Sequence, residues 1–221
     1  MPVRTPRFST STYKSVHALP PLVWNTLRAH ARRSNVILSH AEKALTKAID
    51  GEHSLQDEFW ITCSTFDPSS SESIDFILSC TESSMGKYPI FIFSTQHSSR
   101  LNEEYLLPRI SLLVETLHST VDVSRVFSVF APDPVTEMFT DLWVDLTGIR
   151  FEHQPYYAAT FSVCTKRTHI DRSVSIHPSL RFEIRPAVES DIDNVAELCH
   201  QFALGSVRHL CPFVIHYNFL M

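Results

Sequence analysis

The sequence predicts an α/β domain in which a mixed β-sheet is flanked by helices. Apolar residues make up 43 % of the 221-residue chain, with 15 phenylalanines, which suffices for a sizeable core and excludes disorder for most of the chain. Two segments with helical spacing come first, followed by short runs rich in β-branched and aromatic residues. After these, further helical segments alternate with further runs of the same kind. The length fits one large domain, or one domain plus a fragment.

The first elements are expected to be two helices. Residues 1–19 are basic and rich in Ser and Thr, and they predict a flexible tail. Pro20 and Pro21 then begin a helix, and Ser34 is expected to cap a second helix over residues 35–49, which Gly51 ends. The apolar positions of the first helix recur at helical spacing: Leu22, Val23, Leu27 and Ala31.

Three short strands are expected next, over residues 59–64, 74–80 and 88–94. Turn-forming Asp, Pro, Ser and Gly residues separate them. Because the third run is apolar on both faces, it is expected to be a central strand.

Helices and strands then alternate. A helix is predicted over residues 102–119, with Pro108 in its first turn or kinking it, and a strand over 123–130. Asp133 is expected to cap a helix that ends at Gly148, and a last strand covers 156–165. The inward positions of that helix are predicted to be Val135, Met138, Phe139, Leu142 and Leu146.

The chain is thus expected to hold an α/β domain over residues 20–165, a linker over 166–181 and a second unit over 182–205. The second unit contains a strand at 182–185 and a helix that Ser190 caps and Gly205 stops. Residues 206–221 form an apolar tail without a pattern. The apolar face of the second-unit helix is predicted to consist of Ile192, Val195, Leu198, Cys199 and Phe202.

Glycine content excludes several enzyme classes. The four glycines, at positions 51, 86, 148 and 205, are too far apart to form any paired-glycine motif. The phosphate loop of NTPases, the dinucleotide fingerprint and the kinase glycine loop are therefore absent, as is the elbow of serine hydrolases.

Charge and cysteine usage predict the compartment and the partners. The net charge of −5 disfavours nucleic acid, although residues 1–41 contain six basic residues and no acid. No apolar run approaches the roughly 18–20 residues of a membrane-spanning helix. The five scattered cysteines predict reduced thiols and a cytoplasmic protein, and the acid-free N-terminus leaves a mitochondrial protein as the alternative. The twelve histidines lack metal-ligand spacing, so no metal is expected.

One segment resembles a known family. The sequence FEIRPAVESDIDNVAEL (residues 182–198) is similar to the opening of a GNAT (GCN5-related) N-acetyltransferase domain, in which such a strand precedes a helix that begins with an Asp. The element order of residues 20–165 fits the same fold: two helices, three strands, a helix, a strand, a helix and a last strand. The resemblance implies a degenerate first copy and a second copy truncated after its first helix.

The resemblance implies acyl transfer from acetyl-CoA to an amine, through a general base and amides that polarise the thioester. Family members bind the cofactor pyrophosphate in a Gly-containing turn after a central strand. Here that turn reads STQHSSR (residues 94–100), without glycine. The implied cofactor contacts are Gln96, Ser98, Ser99 and Arg100; the catalytic residues are unknown.

Three interpretations remain open. The chain is inactive or incomplete as an N-acetyltransferase, or it is a non-catalytic scaffold or protein-interaction module that forms a homo- or hetero-oligomer through its second unit. In the third, the first copy binds CoA through the turn at residues 94–100 and transfers acyl groups to an amine substrate.

Overall fold

A computed structural model describes residues 6–49, 58–67, 72–83, 86–152 and 185–208 of the chain. It divides into two units, residues 1–151 and 152–221. The predicted last strand (156–165) and the linker lie outside the described residues, as do nearly all of the predicted strand at 182–185 and residues 209–221 of the predicted tail. Residues 206–208, predicted as the start of that tail, are helical instead.

The first unit is an α/β domain, as the sequence predicts. Short 3-10 turns occur at Val16–Ala18, Ser98–Arg100 and Val123–Arg125. In chain order its strands and helices are β1 (Arg7–Tyr13), α1 (Pro21–Ala29), α2 (Asn35–Ile49), β2 (Phe59–Phe66), β3 (Ser73–Cys80), β4 (Glu82–Ser83), β5 (Gly86–Lys87), β6 (Ile90–Ser94), α3 (Glu103–Thr120), β7 (Val129–Phe130) and α4 (Asp133–Thr147).

The main sheet is mixed. Its five strands lie in the order β1-β2-β3-β6-β7, and β4 and β5 form a separate hairpin. All pairs in the main sheet are antiparallel except β6 and β7, which are parallel. Helix α3 makes the crossover between the parallel pair, as a parallel connection requires.

Each face of the sheet buries its own apolar cluster because successive strand residues point to opposite faces. Trp60, Ile77 and Phe93 pack with residues of α1 and α2. Ile61, Phe76 and Leu78 belong to the larger cluster with residues of α3 and α4. Since β6 contributes to both clusters, the prediction that it is a central strand is confirmed.

The predicted flexible N-terminal tail is wrong, because residues 7–13 form an edge strand. Strand β1 pairs with β2 along its whole length, from Arg7 opposite Phe66 to Tyr13 opposite Trp60. The hydroxyls of Thr10 and Thr116 hydrogen-bond at 2.7 Å and link β1 to α3. Ser and Thr tolerate the extended backbone, so an edge strand can form without a continuous apolar face.

The predicted strand over 123–130 is mostly a turn. The Asp122 carboxylate accepts a hydrogen bond from the Ser124 amide at 2.8 Å and begins the 3-10 turn Val123–Arg125. Only Val129–Phe130 pairs with β6. An Asx-type bond of this kind competes with a strand backbone, which accounts for the difference.

Two details of the helix ends in the first unit differ from prediction. Ser34 does precede α2, but its hydroxyl donates to the carbonyls of Leu27 and His30, at 2.7 and 3.1 Å, and so satisfies the end of α1. Pro132, not Asp133, is the N-cap residue of α4. As predicted, α4 ends at Gly148, whose φ of +72° favours glycine.

The faces of α3 and α4 also differ in part from prediction. Helix α3 continues across Pro108, which lies beyond its first turn. In α4, Val135 and Phe139 are buried as predicted, whereas Leu146 is exposed and Trp143 takes the buried position near the end of the helix.

The described part of the second unit is mainly one helix, α5 (Ile192–Arg208). Ser190 lies within a 3-10 turn, Glu189–Asp191, that precedes α5, so the predicted cap is wrong. Gly205 lies inside α5, so the predicted stop is also wrong. Three of the predicted apolar positions, Ile192, Val195 and Leu198, are exposed.

Candidate functional site

The predicted cofactor loop connects the carboxyl end of β6 to α3, over residues 95–102. In open α/β sheets, ligands bind at the carboxyl ends of strands, beside a crossover. Three of the four predicted cofactor residues, Ser98, Ser99 and Arg100, are exposed, and Gln96 is half-buried. The structure therefore brings the four together on one short loop, as their sequence proximity requires.

The backbone of this loop is largely satisfied by the protein itself. The Thr95 amide donates to Asp75 O at 3.0 Å, and the Gln96 amide to Ser94 Oγ at 3.1 Å. The Ser99 amide donates to His97 Nδ1 at 3.3 Å, and the Arg100 amide to His97 O at 2.9 Å. Four of the amides that a pyrophosphate would need are therefore already engaged.

Arg33, two residues before the start of α2, forms hydrogen bonds to the backbone of this loop. Its two terminal nitrogens donate to the carbonyls of Gln96 and Thr95, at 2.8 and 3.0 Å. One of them also lies 2.8 Å from His30 Nδ1. Burial, followed by the charge of Arg33, lowers the pKa of His30, so His30 is neutral at pH 7 and can accept this hydrogen bond.

The electrostatics at the start of α3 disfavour a phosphate. Asn102 caps the helix by accepting the Tyr105 amide at 3.0 Å. Glu103 and Glu104 occupy the first turn. Their carboxylates interact favourably with the positive end of the helix dipole and repel a second anion placed there.

A buried polar cluster that sequence reasoning missed lies between the sheet and α3. Asp75 of β3 and Arg109 of α3 form an ion pair, with Arg109 Nε 2.9 Å from Asp75 Oδ2. The Tyr105 hydroxyl donates to the other carboxylate oxygen at 3.1 Å. The Thr65 hydroxyl also donates to Asp75, and Arg109 donates to Thr65 Oγ1 at 3.1 Å. Both charges are therefore hydrogen-bonded on several sides, as buried charges require.

Two aromatic rings complete the cluster. The guanidinium carbon of Arg109 lies 4.2 Å from the ring centre of Phe8 and 3.9 Å from that of Tyr105. Phe8 belongs to β1, so the edge strand contributes directly to the environment of the buried cation.

A β-bulge positions Asp75. Cys63 is opposite Phe76 and Ser64 is opposite Ile74, so Asp75 has no partner in the β2–β3 register. Such a bulge re-aims a side chain and often occurs next to functional residues. Two sequence signals mark the cluster: a carboxylate within the apolar run of β3, and an arginine within the apolar stripe of α3.

This cluster links the sheet to α3 and has a structural role. Burial and the nearby Asp75 carboxylate raise the pKa of Cys63 to about 12, against a smaller opposing effect of Arg109, so its thiol is not a nucleophile at neutral pH. Burial, with the charge of Asp75, also raises the pKa of Tyr105 well above its usual value. The Cys63 thiol and the Tyr105 hydroxyl therefore stay protonated at neutral pH, which suits positioning rather than proton transfer.

Two residues that carry the family resemblance form a local contact in the second unit. Arg185 binds the Asp191 carboxylate with both terminal nitrogens, at 2.6 and 2.8 Å. Asp191 also accepts the Val188 amide at 2.9 Å. Both hydrogen bonds lower the pKa of Asp191, the Arg185 bond most. The two residues therefore shape the turn into α5.

The described residues contain neither a metal-binding cluster nor a membrane-spanning helix. Within the described ranges, no three His, Cys, Asp or Glu side chains lie close enough together to hold a metal ion. None of the helices there combines the length and the apolar character needed to cross a membrane.

Comparison with known proteins gives no family. No family model, no curated protein and no solved structure matches the chain. The class that the structure defines is an α/β protein with a five-stranded mixed sheet flanked by helices.

Proposed function

We propose that the chain is a GNAT-type N-acetyltransferase-family protein whose first unit is non-catalytic and that the chain acts as a binding module. Two features support the family. One is the segment at residues 182–198; the other is the order of the elements in the first unit, in which two helices precede β2, β3 and β6, followed by α3, β7 and α4. In the family, acyl transfer moves an acetyl group from coenzyme A to an amine.

The closed loop after β6 is the observation that favours a non-catalytic first unit. Four of its amides donate to protein acceptors, two of its carbonyls accept from Arg33, and two carboxylates stand at the adjoining helix start. A pyrophosphate would have to displace these bonds in a loop without glycine, where side chains limit the approach of the backbone.

The proposed binding element of the chain is the apolar face of α5, in the second unit. Two residues of this face, Ile192 and Leu198, are 61 % and 70 % exposed. Exposed apolar residues at helical spacing are typical of a surface that meets another protein. This face is the proposed docking element for a partner or for a second copy.

Thermal unfolding of the full chain with millimolar acetyl-CoA tests the proposal. We expect no shift of the melting temperature beyond that given by ATP, which controls for non-specific anion effects. A ligand at about 100 times its dissociation constant would add roughly 2.7 kcal/mol and shift the transition by several degrees.

A shift with acetyl-CoA and desulfo-CoA but not with ATP would instead support the second candidate, a cofactor-binding first unit. The exposed Arg100 and the amides of His97 and Ser98, for which the described residues supply no acceptor, favour that candidate. Arg100→Ala should then remove the shift, whereas Arg32→Ala, also exposed but outside the loop, should retain it.

A further inference from the structure

A second polar feature lies at the opposite end of β6 from the cofactor loop. Arg125, in the 3-10 turn before β7, is 6 % exposed. Its terminal nitrogens donate to the carbonyls of Tyr88 and Thr81, both at 3.0 Å. Its Nε is buried and has no hydrogen-bond acceptor among the described residues.

The charge of Arg125 has no counterion in the described part of the chain. The ion pairs there join Arg109 to Asp75 and Arg185 to Asp191. Backbone carbonyls supply partial charges only, so the guanidinium remains a buried cation without an anion. Removing a cation from water is unfavourable unless an anion and hydrogen bonds replace its hydration.

One aromatic ring contacts this cation, and Tyr88, whose carbonyl accepts from Arg125, belongs to a cluster of three further rings. The Phe127 ring centre lies 5.9 Å from the guanidinium carbon, and Phe127 is 59 % exposed. His40 stacks on Tyr88 with ring centres 4.5 Å apart, and Phe91 contacts the rings of both. Because Phe127 is mostly in solvent, its ring can move aside without opening the buried core.

We propose that Arg125 and Phe127 form a binding site for a monocarboxylate that bears an apolar or aromatic group. The carboxylate would pair with the N–H groups of the guanidinium that the two carbonyls leave free, Nε–H among them. The apolar group would pack on Phe127 and the neighbouring rings.

The local charges favour a single negative charge over a phosphate dianion. Arg125 supplies the cation of the site. In the adjacent β4–β5 hairpin the negative charge of Glu82 offsets the positive charge of Lys87, which lies opposite it. Lys43 of α2 acts on His40, and burial, followed by this positive charge, lowers the pKa of His40. His40 is therefore neutral at pH 7 and adds no second cation.

Titration of the full chain with phenylacetate, followed by NMR, tests the site. We expect saturable binding of phenylacetate and at least about tenfold weaker binding of 2-phenylethanol, which has the same ring but no charge. Acetate and inorganic phosphate are the two further probes, and both should bind more weakly than phenylacetate. Binding of the alcohol or of phosphate as tightly as phenylacetate would overturn the proposal.

Two variants locate the binding. Arg125→Lys keeps the charge and should weaken phenylacetate binding about tenfold, since the paired donor geometry is lost. Arg33→Lys is the matched control, because Arg33 also donates to two carbonyls but is exposed, and it should leave the affinity unchanged.

Phe127→Ala provides a test that retains the buried arginine itself. It should weaken phenylacetate binding severalfold and leave the weak binding of acetate unchanged. Unaltered phenylacetate affinity in this variant, or the absence of saturable binding to the folded wild type, would refute the site.

Discussion

Replacing Arg109 with alanine is expected to lower the free energy of unfolding by about 3–5 kcal/mol. The substitution leaves the Asp75 carboxylate buried without its cation and removes the group on which Phe8 and Tyr105 pack. Urea denaturation, followed by circular dichroism, measures the change.

Arg100→Ala serves as the control, because Arg100 is exposed and precedes the same helix. We expect its effect to stay within about 0.5 kcal/mol. The double variant Asp75→Ala/Arg109→Ala should cost less than the sum of the two single variants, since removing both charges leaves none unpaired. Additive losses would contradict the buried ion pair.

Deleting residues 1–13 is expected to abolish cooperative unfolding of the first unit. The deletion removes β1, exposes the edge of β2 and takes Phe8 from Arg109 and Thr10 from Thr116. Differential scanning calorimetry should show the loss of the sharp transition.

Deletion of residues 1–5 is the matched control, because it shortens the same end of the chain but leaves β1 complete. This shorter deletion should keep the transition of the full chain. If the longer deletion also unfolded sharply and at the same temperature, the chain would have the flexible tail that the sequence predicts.

Most of the first unit could be predicted because the apolar residues of its helices and strands recur at a regular spacing. The two helices before β2, the helix after β6 and the helix ending at Gly148 all occur at the predicted places, within a residue or two. Apolar spacing and helix-ending residues act locally, so one sequence suffices to read them.

The prediction failed at β1, which depends on residues distant in the chain, and at two places where the local structure differs from what the residue pattern indicates. Strand β1 has few apolar side chains, and its stability comes from pairing with β2 and from Arg109 on α3. The Asp122 carboxylate likewise converts most of a predicted strand into a turn. In α5, the helix continues through Gly205, whose intrinsic cost of about 1 kcal/mol a 17-residue helix tolerates.

The candidate site was predicted only in part. The loop after β6 was located from the strand that precedes it, but its hydrogen bonds to Arg33 and Asp75 join residues far apart in the chain. The sequence does show opposite charges at two core-facing positions, Asp75 and Arg109. Because the two residues lie on different elements, a pattern within one element does not indicate that they pair. The acetyltransferase assignment stays a prediction.

The connectivity of the sheet also sets an order of assembly. Strands β2 and β3 are joined by residues 67–72 alone, so their pairing closes a short loop at small entropic cost. Pairing of β1 with β2 encloses both α1 and α2, and the crossover from β6 to β7 encloses α3. We therefore expect the β2–β3 hairpin to nucleate folding and β1 to attach late, so that backbone amides of β1 exchange with deuterium sooner than those at the centre of the sheet.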